Sequence, residues 1–425
     1  KVNILILSEK LMNVLLIGSG GREHAIAKKL IESPKLTKLY SIPGNPGISS
    51  ISETIGTDLK IDSIVKLAKE KSVDLIFCGP EQPLVDGLSD LAEKKSGIKT
   101  FGPSKMGAAL EGSKIFSKQF MSKYDIPTSD YKYFYNYDEA VSYFKRRKTY
   151  PVVIKADGLA AGKGVKIAKN REEADEIIKS YFIDKSLGKS GESIVIEEFL
   201  TGEEMSAIYI TDGTTFLPLI AAKDYKKVYD DDKGENTGGM GAYAPHLAYT
   251  DELKKIIEDN IISKIKIGLK KEGIDYRGAL YVGLMLTDEG PKVIEFNCRF
   301  GDPETQVILP LMDSDLLNIA NLAAGKKLSG TTIKWKNSFA GCVVIASEGY
   351  PGDYKKGVNI EFSGNPFDFI HAGTKQVSDK IVTNGGRVLN AVSIGSSKSS
   401  ALLSCYKLLE KVKFDGCFYR KDIGT

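Results

Sequence analysis

At 425 residues, 42% hydrophobic and 27% charged, the chain is too long for one core and has the composition of an ordinary globular protein of about two to four domains. Its 59 basic and 55 acidic residues leave a formal charge of +4, a balance that gives no ground for nucleic-acid or membrane binding. No apolar stretch reaches the length of a membrane span. The five cysteines form no C-x-x-C pair, which points to reduced thiols in the cytoplasm and no zinc.

Residues 2–7 are apolar but too short for a signal segment, and the stretch before Met12 reads either as a variable extension or as the product of an early start codon. Residues 13–17 form a short apolar strand, 18–21 a turn and 23–31 a helix pattern. Strands recur at 39–42 and 75–78 with a helix between them at 61–71, and each ends in Gly and Pro. This is an open α/β sheet, whose ligands bind at the carboxyl ends of strands. The string Gly18-Ser19-Gly20-Gly21-Arg22-Glu23 fails the dinucleotide fingerprint, because Glu23 stands where the third glycine belongs and no acidic residue ends the next strand. The turn either holds another ligand's phosphate on its backbone N–H groups or is a tight turn only.

A helical stretch runs through Glu111-Gly112-Ser113-Lys114 to about 123. Strands at 150–156 and 165–168 and a helix at 171–181 then make a small inserted lobe over 125–192. Between the two strands, Gly158 to Gly164 is not a P-loop: the glycine spacing is wrong, no Ser or Thr follows Lys163, and the loop joins strand to strand. It reads as a hairpin flap able to close over phosphates, with Lys155 and Lys163 supplying charge. The next strand, 193–199, turns acidic at Glu197-Glu198; Glu197 suits an adenine amino group and Glu204 ribose hydroxyls.

The loop at 236–243 places three glycines within four positions behind Asp224 and Lys226-Lys227, as close approach of backbone to a ligand requires. A hairpin follows, 279–286 and 292–297, ending in Glu295-Phe296-Asn297-Cys298-Arg299. Alternation puts Glu295 and Asn297 on one face, with Ile294 and Phe296 turned into apolar packing. Two oxygen ligands on one face suit Mg²⁺ bound together with nucleotide phosphates, and Arg299 adds a planar cationic fork. The tail from about 331 reads as a small β-rich domain. His24, His246 and His371 have no Ser-Asp or Cys partner pattern, so no hydrolytic triad is expected.

In this order the flap lysines, acidic hinge strand, glycine-rich loop and Glu-x-Asn strand resemble the ATP-grasp superfamily. The strings at 20–24, 43–45, 79–81, 111–114, 154–165, 197–200, 236–243, 293–306, 371–374 and 383–389 resemble the phosphoribosylamine–glycine ligases. The departures are Tyr225 where that family usually has His, Lys227 where it usually has Arg, Glu235 where it usually has Pro, and the stretch before Met12. The resemblance implies a multidomain α/β and α+β fold. Its parts would be an N-terminal open sheet (12–112), an ATP-grasp body (113–124 and 193–330), the inserted lobe (125–192) and a C-terminal β-rich domain (331–425).

It implies the cofactors ATP and Mg²⁺ or Mn²⁺, with Glu295 and Asn297 as metal ligands. Lys114, Lys155, Gly162, Lys163, Gly164, Glu197, Leu200 and Glu204 would bind ATP, and Arg299 and Lys226 would be catalytic. Gly20, Gly21, Arg22, Asn45, Pro80, Glu81, Asp224, Asn236, Gly238, Gly239, Gly241, Asp302 and Glu304 would bind substrate. Glycine's carboxylate would attack the γ-phosphorus, and the amine of 5-phosphoribosylamine would then attack the resulting glycyl phosphate. The implied partners are these small molecules and, transiently, the enzyme that supplies phosphoribosylamine, with neither nucleic acid nor membrane. Because the chain ends just after the last family string, at 420–424, it is expected to carry a single activity. Rival readings are another carboxylate ligase of the same superfamily, a nicotinamide oxidoreductase and an inactive nucleotide-binding module.

Overall fold

The computed structural model describes residues 11–160 and 163–425, so the expected extension and the proposed ATP contact of Gly162 lie outside the described residues. The N-terminal unit is a five-stranded parallel sheet. Met12–Gly18 lies at its centre, flanked by Leu36–Pro43 and Leu75–Cys78, with Glu53–Thr54 and Lys99–Phe101 at the edges. Strands Met12–Gly18 and Leu75–Cys78 read as nearly continuous apolar runs because helices such as Gly21–Leu30 and Ile61–Glu70 accompany the sheet, while Leu36–Pro43 exposes Thr37 and Lys38 at its start. The strand order reverses beside Met12–Gly18, and the turns after the three inner strands meet at that switch point.

A second, antiparallel sheet forms the body, in the order Phe216–Pro218, Glu203–Thr211, Gly278–Thr287, Gly290–Asn297. Both of its faces are packed: Met205, Ala207 and Tyr209 enter one apolar cluster and Ile208 and Ile210 the other, as a period of two dictates. The hairpin carries a bulge, since Gly283 faces Glu295 but Leu284 faces Val293. The extra residue is Ile294, and it resets the alternation. Val293 and Phe296 are therefore the core residues, whereas Ile294, expected to be one, is only half-buried.

The lobe is a four-stranded antiparallel sheet, Tyr131–Phe134, Ile194–Glu198, Val152–Ala156, Val165–Ala168, backed by helices Tyr137–Arg146 and Arg171–Phe182 around Phe144, Ile154, Ile178 and Ile196. Strand Ile194–Glu198, which the sequence reading gave to the body, pairs on both sides within this sheet. An apolar strand carries no mark of which neighbours it joins. The C-terminal sheet is likewise not self-contained. Its long strands Phe339–Ser347 and Arg387–Gly395 are extended by Gly241–Ala244 and Lys223–Asp224 from the body, with Ala242 opposite Cys342. Helix Lys398–Leu409 covers one face through Leu402 and Cys405. Among the described residues no helix is long and apolar enough to cross a membrane.

Candidate active site

A cavity of about 410 Å³ opens between body, lobe and N-terminal sheet, lined by residues of all three and of the C-terminal sheet. On its floor Glu295 and Asn297 share one face, with Asn297 Nδ2 3.5 Å from Glu295 Oε1. Burial disfavours the charge on Glu295, but the ammonium groups of Lys226, Lys114 and Lys155 outweigh it and hold the carboxyl below its ordinary range. An ionised carboxylate and a carboxamide on one face, the amide oxygen here accepting from Arg299, are the ligand types of a hard divalent cation that takes its remaining ligands from phosphates and water. Among the described residues no cluster of three or more His, Cys, Asp or Glu side chains offers a rival cage.

Arg299 follows on the same loop. Its guanidinium bonds Glu81 (Nε–Oε2 3.3 Å), Glu111 (Nη2–Oε1 2.9 Å) and Asn297 Oδ1 (3.2 Å). Burial would lower its pKa, but Glu111 and Glu81 raise it, so the cation is permanent. Arg22 lies in the same cleft, bonded to Glu23 Oε1 at 2.5 Å and to the Phe300 carbonyl at 3.2 Å. Helix Lys114–Lys123 begins at the cleft: Ser113 caps it, and Asp157 at the root of the flap accepts from Ser113 Oγ and Ile115 N at 3.0 and 3.1 Å. The flap is thus moored to the helix end that presents Lys114. Gly158, Leu159, Ala160 and Gly164 roof the cavity, while Lys163 is exposed outside it.

Beneath the roof, Glu197 is 4% exposed and held by two lysines, Lys155 and Lys118, each at 2.9 Å. Burial disfavours its charge, yet the two ammonium groups hold the carboxyl down to about 2. Burial in turn brings Lys118 down to about 8 against the pull of Glu197. Glu197, whose strand-end position suggested an acceptor for an adenine amino group, is held between the two lysines and accepts from Ser129 Oγ at 2.8 Å, while its Oε1, ion-paired with Lys155, makes no hydrogen bond among the described residues. Glu204 is similarly engaged, its Oε2 2.9 Å from Lys226 Nζ. Leu200, half-buried on the chain just beyond Glu197, lines none of the cavities described.

Asp224 and Lys226 face the cleft from the shared C-terminal sheet, 4.0 Å apart. Burial pushes the Asp224 carboxyl up to about 7, with Glu304 and Glu204 adding to the rise and Lys226 opposing it. Glu304 is buried and accepts from Ser206 Oγ at 3.0 Å, which also meets the Tyr281 hydroxyl at 2.7 Å.

The glycine strings divide. Gly238 lines the cleft and donates its N–H to the Tyr350 hydroxyl at 2.9 Å. Gly239 has φ +113°, and a Cβ there would sit 2.4 Å from Pro303 Cδ; at Gly241 it would sit 2.7 Å from the Cys342 carbonyl oxygen. These two serve packing, and Asn236 lies exposed on a side hairpin, so none of the three lines the cleft.

The N-terminal turn is occupied by its own chain. Glu23 Oε2 accepts from Gly20 N at 2.7 Å, and a Cβ at Gly18 or Gly79 would strike the Glu23 side chain at 2.4 or 2.2 Å. The Gly20 N–H expected to face a phosphate is already bonded. Gly21 is buried, with a Cβ position 2.6 Å from Asn390 Nδ2, and Pro80 lines neither large cavity.

A second cavity of about 750 Å³ adjoins, lined by Gly20, Asn45 and Pro46 from the N-terminal loops and by Thr374, Lys375 and Asn384 from the C-terminal region. Asn45 shapes its wall with its amide fully engaged: Nδ2 donates to the Ser19 and His371 carbonyls at 2.8 and 2.9 Å, and Oδ1 accepts from Ile48 N at 2.9 Å. His371 N donates to His24 Nδ1 at 2.8 Å, stapling the N-terminal and C-terminal regions behind the cavity. Burial brings the two imidazoles to about 3 (His24, with help from His371 and Lys28) and about 4 (His371), so both are neutral structural groups.

Sequence reasoning missed Lys118, Glu111, Tyr281, Tyr350 and Arg387 as site residues. Glu111 and Arg387 stand inside strings that had been singled out; the others carry no local mark, because only long-range pairing brings them to the cleft.

An antiparallel lobe with a glycine-rich flap, set over a body sheet whose last strand presents Glu-x-Asn, defines the ATP-grasp class. Family models match at residues 12–111 (phosphoribosylglycinamide synthetase, N domain), 112–305 (ATP-grasp (A) domain) and 340–425 (C domain). The chain belongs to the phosphoribosylglycinamide synthetase family, and like its relatives it is a ligase. It is 47% identical to a phosphoribosylamine–glycine ligase of Caldanaerobacter subterraneus subsp. tengcongensis, over 97% of this chain and 100% of that protein. A trifunctional purine biosynthetic protein of Gallus gallus is 44% identical over 97% of this chain but only 42% of its own length. A solved phosphoribosylamine–glycine ligase from Thermotoga maritima superposes with a TM-score of 0.85 at 36% identity, over 97% of this chain and 100% of that one. The biotin carboxylase domain of a Hydrogenobacter thermophilus 2-oxoglutarate carboxylase, solved with MgADP, shares the fold at 19% identity and a TM-score of 0.74, over 96% and 92% of the two chains.

Proposed function

We propose that this chain joins glycine to 5-phosphoribosylamine, cleaving ATP to ADP and phosphate, and so makes glycinamide ribonucleotide for purine biosynthesis. The family membership supports the activity. The observation that carries the site is the convergence, under the flap, of Glu295 and Asn297 with Lys114, Lys226 and Arg299. Glu295 and Asn297 would hold Mg²⁺ or Mn²⁺, which neutralises phosphate charge when bound. Lys114 and Lys155 supply cations to the phosphates, and Glu197 with Lys118 fixes where the Lys155 ammonium sits.

Asp224 is the group suited to the ammonium of glycine, leaving the glycine carboxylate to face the γ-phosphorus. Lys226 and Arg299 stabilise the transferred phosphoryl oxygens, as fixed cations do at a site built for positioning and charge neutralisation. The second cavity, next to the cleft and furnished with Lys375, Thr374 and Asn384, is the place for phosphoribosylamine. Its amine attacks the acyl carbon of glycyl phosphate, and phosphate leaves. Glycine labelled with ¹⁸O in its carboxylate should deliver one label to inorganic phosphate per turnover. Phosphate free of label would exclude the acyl-phosphate route.

A further inference from the structure

The cleft and the second cavity are separate spaces, and among the described residues they share only Asp302 and Arg387. These two are an ion pair, Arg387 Nη2 to Asp302 Oδ2 at 3.0 Å. The pair is braced from both sides. Arg387 Nη1 also donates to the carbonyls of Gly238 and Asp302, each at 2.8 Å, and of Gly239 at 3.3 Å, while Asp302 Oδ1 accepts from Gln306 Nε2 at 2.6 Å. Arg387 comes from the C-terminal sheet and Asp302 from the loop after strand Gly290–Asn297, so the junction is made by elements of both cavities. On the reading above, one cavity holds the activated glycyl group and the other the amine that must reach it.

We propose that the Arg387–Asp302 pair is the partition that couples the two half-reactions. Paired, it screens glycyl phosphate from water in the second cavity. The incoming amine, an N–H donor, takes the Asp302 carboxylate as its acceptor in place of the guanidinium and passes to the acyl carbon. There the C–N bond forms, the C–O bond to phosphorus breaks, phosphate leaves with the electron pair, and the amine proton is released to solvent. Without the partition, water attacks the same carbon and gives glycine and phosphate, so that ATP is hydrolysed with no net ligation. Arg387 is thus a positioning residue and Asp302 a contact of the incoming amine, and together they govern coupling and not the rate of phosphoryl transfer.

The proposal rests on the ligase reading, and the two fail differently. If wild-type ADP release is indifferent to glycine, the reading is wrong; if it needs glycine but the partition has no part in coupling, only the proposal is wrong. In Arg387→Lys, which keeps the charge but loses the fork, and in Asp302→Asn, the ratio of ADP to glycinamide ribonucleotide should rise from one to about ten, as expected for loss of a charge-assisted contact. ADP release with glycine but no amine should rise in parallel. A ratio of one in either folded variant, shown by an unchanged far-UV spectrum, overturns the proposal. Should both variants misfold, the wild-type protein decides: with ATP and glycine alone it should release no more than one ADP per active site before stalling, and sustained multiple turnovers would contradict the partition.

Discussion

Asp224 and Glu197 are both buried carboxyls, yet their surroundings drive them in opposite directions. Glu197 lies between two ammonium groups that overcome the cost of burial, whereas Asp224 has one, 4.0 Å away, and two further carboxylates nearby. The Asp224 carboxyl, pushed from 3.8 to about 7, binds more protons folded than unfolded between those values, so it costs stability as pH rises through that window. Holding an ammonium requires its ionised form. The kcat/KM for glycine should therefore fall as pH drops below about 7, and Asp224→Asn should be about tenfold less efficient at pH 8 with that acidic limb absent. An unchanged limb in the variant would move the ionisation to another group. For Glu295→Gln, metal-dependent turnover should drop about 100-fold, while the urea midpoint stays near that of the parent, since the change removes a charge from the proposed metal site and not packing.

At the scale of elements, the bulge at Ile294 and the glycines of the 236–243 segment show what alternation and composition convey. The Glu-x-Asn pattern was legible because both side chains keep a common face. Which apolar neighbours pack was not, since one inserted residue exchanged Ile294 for Val293 in the core. Glycine content announced close approach but not its object. Gly239 meets Pro303, Gly241 meets strand Phe339–Ser347, and Gly18 and Gly79 make room for the Glu23 side chain that closes the turn. Gly239→Ala, which combines φ +113° with a Cβ 2.4 Å from Pro303, should cost about 3 kcal/mol in chemical denaturation. A loss below about 0.5 kcal/mol, the range of an ordinary surface change, would return Gly239 to the class of ligand-facing glycines.

Across the whole molecule the chain is read from N-terminal sheet to lobe to body to tail, but the site ignores that order. The second cavity needs Gly20 and Asn45 from one end of the chain and Thr374 and Arg387 from the other, held together by Asn45, His24 and His371. Strings such as 371–374 and 383–389 marked the residues; only the fold tells which cavity each reaches. Arg387 escaped for this reason, and so did Lys118, whose role exists only through Glu197 and Lys155 some way along the chain. The claim that these parts form one glycine ligase is tested most directly by ADP release with phosphoribosylamine generated in situ. Sustained ADP formation should require glycine and phosphoribosylamine together, with glycinamide ribonucleotide appearing as the product. Sustained formation that persists with glycine omitted, or with another carboxylate replacing glycine equally well, or no glycinamide ribonucleotide with both substrates present, would contradict the account.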